Sequence, residues 1–141
     1  MDTVTAPLQN LTQMPDPKYL MVGDGYRIAT YSWGDEDAPT VVVVHGFASS
    51  TKDNWVATGW VRDLTAAGYR VLALDQRGHG ASDKPHEPAA YDLRQLAGDV
   101  ATLPHTYLVD VAAYVGSSLG ARVGSVHGPA LAPTLPRAVP A

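Results

Sequence analysis

The pentapeptide Gly116-Ser117-Ser118-Leu119-Gly120 has the form Gly-x-Ser-x-Gly. A serine hydroxyl attacks a carbonyl carbon when the backbone lifts it clear of its neighbours and a base takes its proton. The two glycines suit that task. On a strained strand-to-helix turn, the positions two before and two after the serine approach each other, and a side chain at either would collide. Such a turn also sets the Ser118 hydroxyl beside a helix N-terminus, where free N–H groups favour an anion. Gly and Ser are common in loops, so the pentapeptide alone is a weak signal. Its flanks strengthen it: the apolar run from Val111 to Val115 reads as a strand, and Leu119 opens a helix.

Two further stations carry residues of chemical interest. His45-Gly46-Phe47 directly follows a run of four valines. Acyl transfer builds negative charge on a carbonyl oxygen, and two aimed N–H donors stabilise it. Gly46 lets the backbone approach a substrate closely, which nominates the Phe47 N–H as one donor and the Leu119 N–H as the other. His45 reads as an imidazole that anchors its loop through the backbone, in preference to a base for Ser118. The third station is Asp75-Gln76-Arg77-Gly78-His79-Gly80-Ala81-Ser82. Arg77 and Asp75 are expected to tie this loop by charge-assisted hydrogen bonds, and Gly78 and Gly80 allow tight turning. Asp75 suits structural support better than the acid of a triad. The spacing fits neither a dinucleotide fingerprint nor a P-loop. His79, His86, His105 and His127 occur singly, with no i, i+4 pair, so no metal site and no cofactor is expected. His127, on the helix opened by the elbow, is expected to point away along it.

The elements that must position these stations follow from periodicity. Residues 1–17 are polar, carry Pro7, Pro15 and Pro17, and read as a flexible arm. Residues 19–22 and 26–33 alternate around Gly23-Asp24-Gly25, a hairpin signal. The β-branched run 40–44 and the segment 69–74 read as strands buried on both faces. Between them a helix is expected from Asp53, as its cap, to about Ala67, closed by Gly68. Residues 92–103 form a second amphipathic helix with Leu93, Leu96, Val100 and Leu103 on one side, closed by Pro104. Strands alternating with helices imply an α/β fold, a parallel sheet with helices on both faces. Residues 128–141 carry Pro129, Pro133, Pro136 and Pro140 and read as an irregular tail.

The totals bound the function. A chain of 141 residues fits one domain, and 45% hydrophobic with 17% charged residues is an ordinary globular composition. A formal charge of −4, without a basic run, argues against a nucleic-acid partner. The absence of cysteine removes disulfides, thiolate metal sites and a cysteine nucleophile. No signal peptide or spanning segment is visible, so no membrane partner and a cytoplasmic location are expected.

The three stations in this order resemble the α/β-hydrolase superfamily, in its epoxide-hydrolase, haloperoxidase and small-esterase branch. The resemblance covers residues 18–127. It implies the N-terminal part of an α/β-hydrolase fold, truncated after the nucleophile elbow. It implies Ser118 as nucleophile and the Phe47 and Leu119 N–H groups as oxyanion hole. A small ester-like substrate follows from the same resemblance. With Ser at 118, the chain looks less like epoxide hydrolases and dehalogenases, which carry Asp there, and more like esterases and related hydrolases. In that family the acid and histidine follow the elbow. Here 23 residues follow Ser118, and none of residues 128–141 is Asp, Glu or His. The expectation is a serine hydrolase weakly active or inactive alone. The competing expectations are a non-catalytic remnant that associates through an exposed sheet edge between Val111 and Val115, and a minimal esterase using His45 as base.

Overall fold

A computed structural model describes Leu11 and residues 13–131 and 138–140. Among the described residues, six strands form one sheet in the order β1-β2-β4-β3-β5-β6. The hairpin pairs β1 (Lys18–Met21) with β2 (Arg27–Trp33), Met21 opposite Arg27. β2 then runs antiparallel to β4 (Arg70–Leu74). From there the sheet is parallel: β4 beside β3 (Thr40–Val44), and β3 beside β5 (Val111–Gly116). All residues of β3 and β4 are buried, as their unbroken apolar runs require of strands covered on both faces.

Two apolar clusters sandwich the sheet. On one face, Val42, Val44, Leu72 and Leu74 pack with Leu96, Val100 and Leu103 of α2 (Leu93–Tyr107) and Val123 of α3 (Leu119–Leu131). On the other, Val41, Val43, Val71 and Ala73 pack with Trp55, Val56 and Val61 of α1 (Trp60–Ala66) and the turn before it. Burying each such aliphatic side chain contributes about 1.5–3 kcal/mol.

The structure changes several local expectations. The helix expected from Asp53 is two pieces. Lys52–Val56 makes one wide turn, in which the Ala57 N–H donates to the Lys52 carbonyl, and α1 begins afresh after Gly59 at φ 90°. Ser50, not Asp53, caps the first piece, its Oγ accepting the Asp53 N–H at 3.1 Å. Gly59 breaks the helix because its positive φ cannot continue a right-handed turn.

Pro104 does not close α2, which runs on to Tyr107 and stops where Leu108 turns left-handed at φ 55°. Proline removes one helical N–H bond, and tertiary contacts outweigh that loss here. The Tyr107 hydroxyl meets Thr30 Oγ1 at 2.8 Å, and its ring lies under Lys18 and Arg70.

The tail is not wholly irregular. α3 extends to Leu131, and β6 (Ala138–Pro140) lies parallel to β5 with Tyr114 opposite Ala138. The strand at 111–115 is therefore not the open edge expected, because β6 takes the edge and an edge strand tolerates proline. The remaining tail residues, 132–137 and 141, lie outside the described residues.

The N-terminal arm is not wholly loose either. Leu11 and Met14 pack against the α1-side cluster, where apolar area is removed from water. Residues 1–10 and 12 of that arm lie outside the described residues.

Candidate active site

β3 has β4 on one side and β5 on the other, and the two crossovers run through helices on opposite faces. In an open parallel sheet this reversal leaves a crevice at the carboxyl ends of the strands. Val44 lies opposite both Leu74 and Gly116, so the three loops after β3, β4 and β5 leave the sheet at one level. That register brings the loops that carry His45, Asp75 and Ser118 to one end of the sheet.

Ser118 sits between β5 and α3 at φ 55° and is solvent-exposed. A non-glycine residue there is strained by roughly 1 kcal/mol or more. The surroundings enforce it. A Cβ at Gly116 would lie 2.5 Å from the Ala121 nitrogen and the Gly120 carbonyl carbon, and one at Gly120 would strike the Val44 carbonyl oxygen. The Ser117 N–H donates to that same Val44 oxygen at 3.1 Å, pinning the elbow to β3. Tyr114 supports it from below, its hydroxyl donating to the Gly120 carbonyl at 2.6 Å.

The loop after β3 leans on the elbow. A Cβ at Gly46 would lie 3.3 Å from Ser118 Cβ, so glycine permits the close approach. The Gly46 N–H donates to Asn54 Oδ1 at 2.9 Å, a contact that nothing in the sequence spacing announces. The Ser49 N–H returns to the Gly46 carbonyl at 3.3 Å and closes a turn through Phe47 and Ala48. Among the described residues, neither the Phe47 N–H nor the Leu119 N–H has a hydrogen-bond acceptor, Leu119 being the first residue of α3. The Phe47 side chain is 76% exposed.

His45 is wholly buried. Its Nε2 accepts the Gln76 N–H at 2.9 Å, and its Nδ1 meets the Gly46 carbonyl at 2.7 Å. A backbone N–H can donate only to a bare ring nitrogen, which puts the proton on Nδ1. Burial holds this imidazole below the usual histidine range, so it stays neutral. Both nitrogens are occupied, and His45 is a tether between β3 and the Asp75 loop with no nitrogen free for Ser118.

Asp75 is also a hub. Its carboxylate accepts the Thr51 N–H at 2.9 Å, the Ala81 N–H at 3.0 Å and the Tyr31 hydroxyl at 2.9 Å. Gly80 passes so close to this carboxylate that a Cβ there would overlap it, and a Cβ at Gly78 would meet the Tyr91 ring at 2.7 Å.

Arg77 does not pair with Asp75, contrary to the sequence expectation. Its buried guanidinium donates to both oxygens of Asp99 on α2 at 2.8 Å, to both oxygens of Asp24 in the hairpin turn at 2.6 and 3.0 Å, and to the Ala90 carbonyl at 2.9 Å. Asp75 is only two residues away in sequence, but it is already filled by three neutral donors. Arg77 points to the opposite side of its loop, where two carboxylates match its planar fork. Burial works against the charged guanidinium, but its bonds to Asp99 and Asp24 outweigh that and hold it above the usual arginine range.

Phe47, Ala48, Gly78, His79, Tyr91 and Leu119 line a cavity of about 580 Å³ at these strand ends. It opens beside the elbow, and its size suits a small organic molecule. Among the described residues no cluster of His, Asp and Glu could hold a metal ion, and no helix is long and apolar enough to cross a membrane. The expectation for the His127 side chain lies outside the described residues.

The chain matches the family described as alpha/beta hydrolase fold over residues 39–126, and it belongs to that family. It is 36% identical over 103 residues to Epoxide hydrolase A of Mycobacterium tuberculosis, covering 71% of this chain and 30% of that protein. It is 37% identical over 97 residues to the Non-heme chloroperoxidase of Streptomyces lividans, covering 69% of this chain and 33% of the relative. The structure of a putative aryl esterase from Burkholderia cenocepacia superposes with a TM-score of 0.78 at 28% identity, over 88% of this chain and 45% of that one. The chain thus spans about a third of the length of the curated relatives it matches.

Proposed function

We propose that this chain carries the nucleophile and oxyanion half of a serine hydrolase site for small carbonyl esters. The observation that supports the reading best is Ser118 itself: a serine held at φ 55° at the carboxyl end of β5, exposed, with the Gly46 loop against it. Phe47 and Leu119, whose N–H groups have no acceptor among the described residues, line the same cavity beside it. In acyl transfer Ser118 Oγ adds to the carbonyl carbon, and the charge that develops on the carbonyl oxygen is met by these two donors. One such donor contributes about 2.7–4 kcal/mol to the transition state where it has been removed by mutation.

Ser118 also favours an ester over an epoxide, although two of the relatives are named for epoxide and peroxide chemistry. Carboxylate nucleophiles open epoxides to esters that water then cleaves. A serine alkoxide would form a stable ether instead. The missing partner is the base. Both ring nitrogens of His45 and of His79 are engaged, and among the described residues no His, Asp or Glu side chain hydrogen-bonds the Ser118 hydroxyl. The same observation favours a second reading, a non-catalytic protein that keeps the elbow as architecture.

Hydrolysis of 4-nitrophenyl acetate, with mass spectrometry of the protein after mixing, separates the two readings. The expected result is slow release of 4-nitrophenol with an acetyl group on Ser118, and neither in Ser118→Ala. Equal rates for the two proteins, with no adduct, would leave the non-catalytic reading standing.

A further inference from the structure

The turn Gly46-Phe47-Ala48-Ser49 contains a feature that its own sequence disfavours. Ala48 occupies the third position at φ 60°, whereas Phe47 does not have positive φ. A turn with positive φ only at its third position normally takes glycine there. Rotating the central peptide, between Phe47 and Ala48, by roughly half a turn gives the commoner turn, in which alanine is unstrained. Something must therefore select the observed orientation. The Ala48 N–H, which is the donor of that central peptide, points at His79 Nε2 at 3.0 Å. The other ring nitrogen, Nδ1, meets the Arg77 carbonyl at 3.0 Å. Because Nε2 accepts an amide proton, it carries none, and the ring proton is on Nδ1. The ring is further held edge-on to Phe47, with centroids 5.9 Å apart, and tilted against His45 at 4.9 Å.

We infer that His79 is a positioning residue whose neutral ring selects the orientation of the Phe47–Ala48 peptide beside Ser118, and that protonation of the ring releases it. The protonated ring carries a proton on Nε2, and two donors then face each other across 3.0 Å. Rotation of the peptide removes the clash, presents the Phe47 carbonyl to the new N–H, and relaxes Ala48. Phe47, Ala48 and His79 all line the cavity with Leu119, so the rotation reshapes the wall that holds the Phe47 N–H.

The charged and titratable groups around the ring do not do this work themselves. His45 is neutral and doubly bonded. Asp75 faces Thr51, Ala81 and Tyr31. The Arg77 guanidinium points away to Asp24 and Asp99. Lys84 Nζ donates to the Gly80 and Ser82 carbonyls, and the Tyr91 hydroxyl donates to Pro85. This assignment builds on the Ser118 reading for its consequence in catalysis, but its geometry stands without it.

Nuclear magnetic resonance of the full chain tests it, in wild type and in Ser118→Ala, across an acid titration carried on until the His79 ring's own shifts report its protonation. At the upper end the His79 ring should show the Nδ1-protonated tautomer. The Ala48 amide shift should then follow the ring with one midpoint. Its hydrogen exchange, corrected for the intrinsic pH effect, should accelerate about fivefold or more, the scale of one net hydrogen bond. In His79→Phe, which keeps the ring contacts and removes the acceptor, the Ala48 amide should be unprotected throughout and indifferent to pH. In His79→Gln, whose carbonyl can accept the N–H but does not titrate, protection should persist at both ends. An Ala48 amide that ignores the His79 titration, or that titrates unchanged in the variants, would overturn the assignment. Ester hydrolysis adds the split between the two readings. If Ser118 is the nucleophile, the wild-type rate falls through the same midpoint. If no protein hydrolyses ester, the Ser118 reading fails while the amide data still decide the role of His79.

Discussion

Replacing Arg77 by Ala should unfold much of what positions the site. The guanidinium is wholly buried and joins three separate segments: the hairpin turn at Asp24, the short helical turn at Ala90 and α2 at Asp99. Asp99 is 3% exposed and burial already pushes its carboxyl above the usual carboxylate range, so without Arg77 it must hold a charge with no cationic partner or take up a proton. Removing one member of a buried pair costs about 3–5 kcal/mol, most of it for the stranded charge. Asp24 adds less, because 30% of its side chain faces water. Against a total of about 5–15 kcal/mol for a domain, the loss is large. Urea unfolding followed by fluorescence suits the assay, since Trp33 and Trp55 are buried on the opposite face and report the core rather than the mutation. The midpoint should fall, with an unchanged slope, by the equivalent of about 3–5 kcal/mol. Adding Asp99→Asn to Arg77→Ala should recover part of the loss, because the stranded charge is gone. A loss below about 1 kcal/mol, or no recovery in the double variant, would refute the reasoning that the cost is an uncompensated buried charge.

The same cluster gives a pH dependence. The Arg77 hydrogen bond holds the Asp24 carboxyl below the usual carboxylate range. A group lowered on folding contributes stability above its unfolded value, so this contribution is lost as the pH falls through the lower, folded value. Acid titration of the melting temperature should show that loss in wild type and a smaller one in Asp24→Asn. Asp75→Asn should destabilise by about 1–3 kcal/mol, because one carboxylate oxygen becomes an NH2 facing a donor; chemical denaturation measures it. Gly120→Ala should cost more than about 3 kcal/mol, since the new Cβ meets the Val44 carbonyl and a backbone cannot step aside; a cooperative circular-dichroism melt at wild-type temperature would contradict this.

The sequence by itself determined the first five strands and the three loops that end β3, β4 and β5. Runs such as Val41 to Val44 and Val71 to Leu74 are buried on both faces wherever they pack, so their pattern is local and legible. The glycines at 116 and 120 are legible for the same reason, since the collision they avoid is with their own turn and with β3. Partnerships across the fold were not legible. Arg77 is next but one to Asp75 in sequence, yet its partners lie 53 and 22 residues away, at Asp24 and Asp99. In the sequence His79 is one scattered histidine of several, and only the packing of two loops places its ring against the Ala48 N–H. Local propensity ends α2 at Pro104 and leaves the proline-bearing tail irregular, and the contacts of Tyr107 and the pairing of β6 with β5 override both. Local sterics and periodicity act between neighbours in the chain and can be read there. Which donor meets which acceptor depends on distances that only the assembled sheet and its helices set.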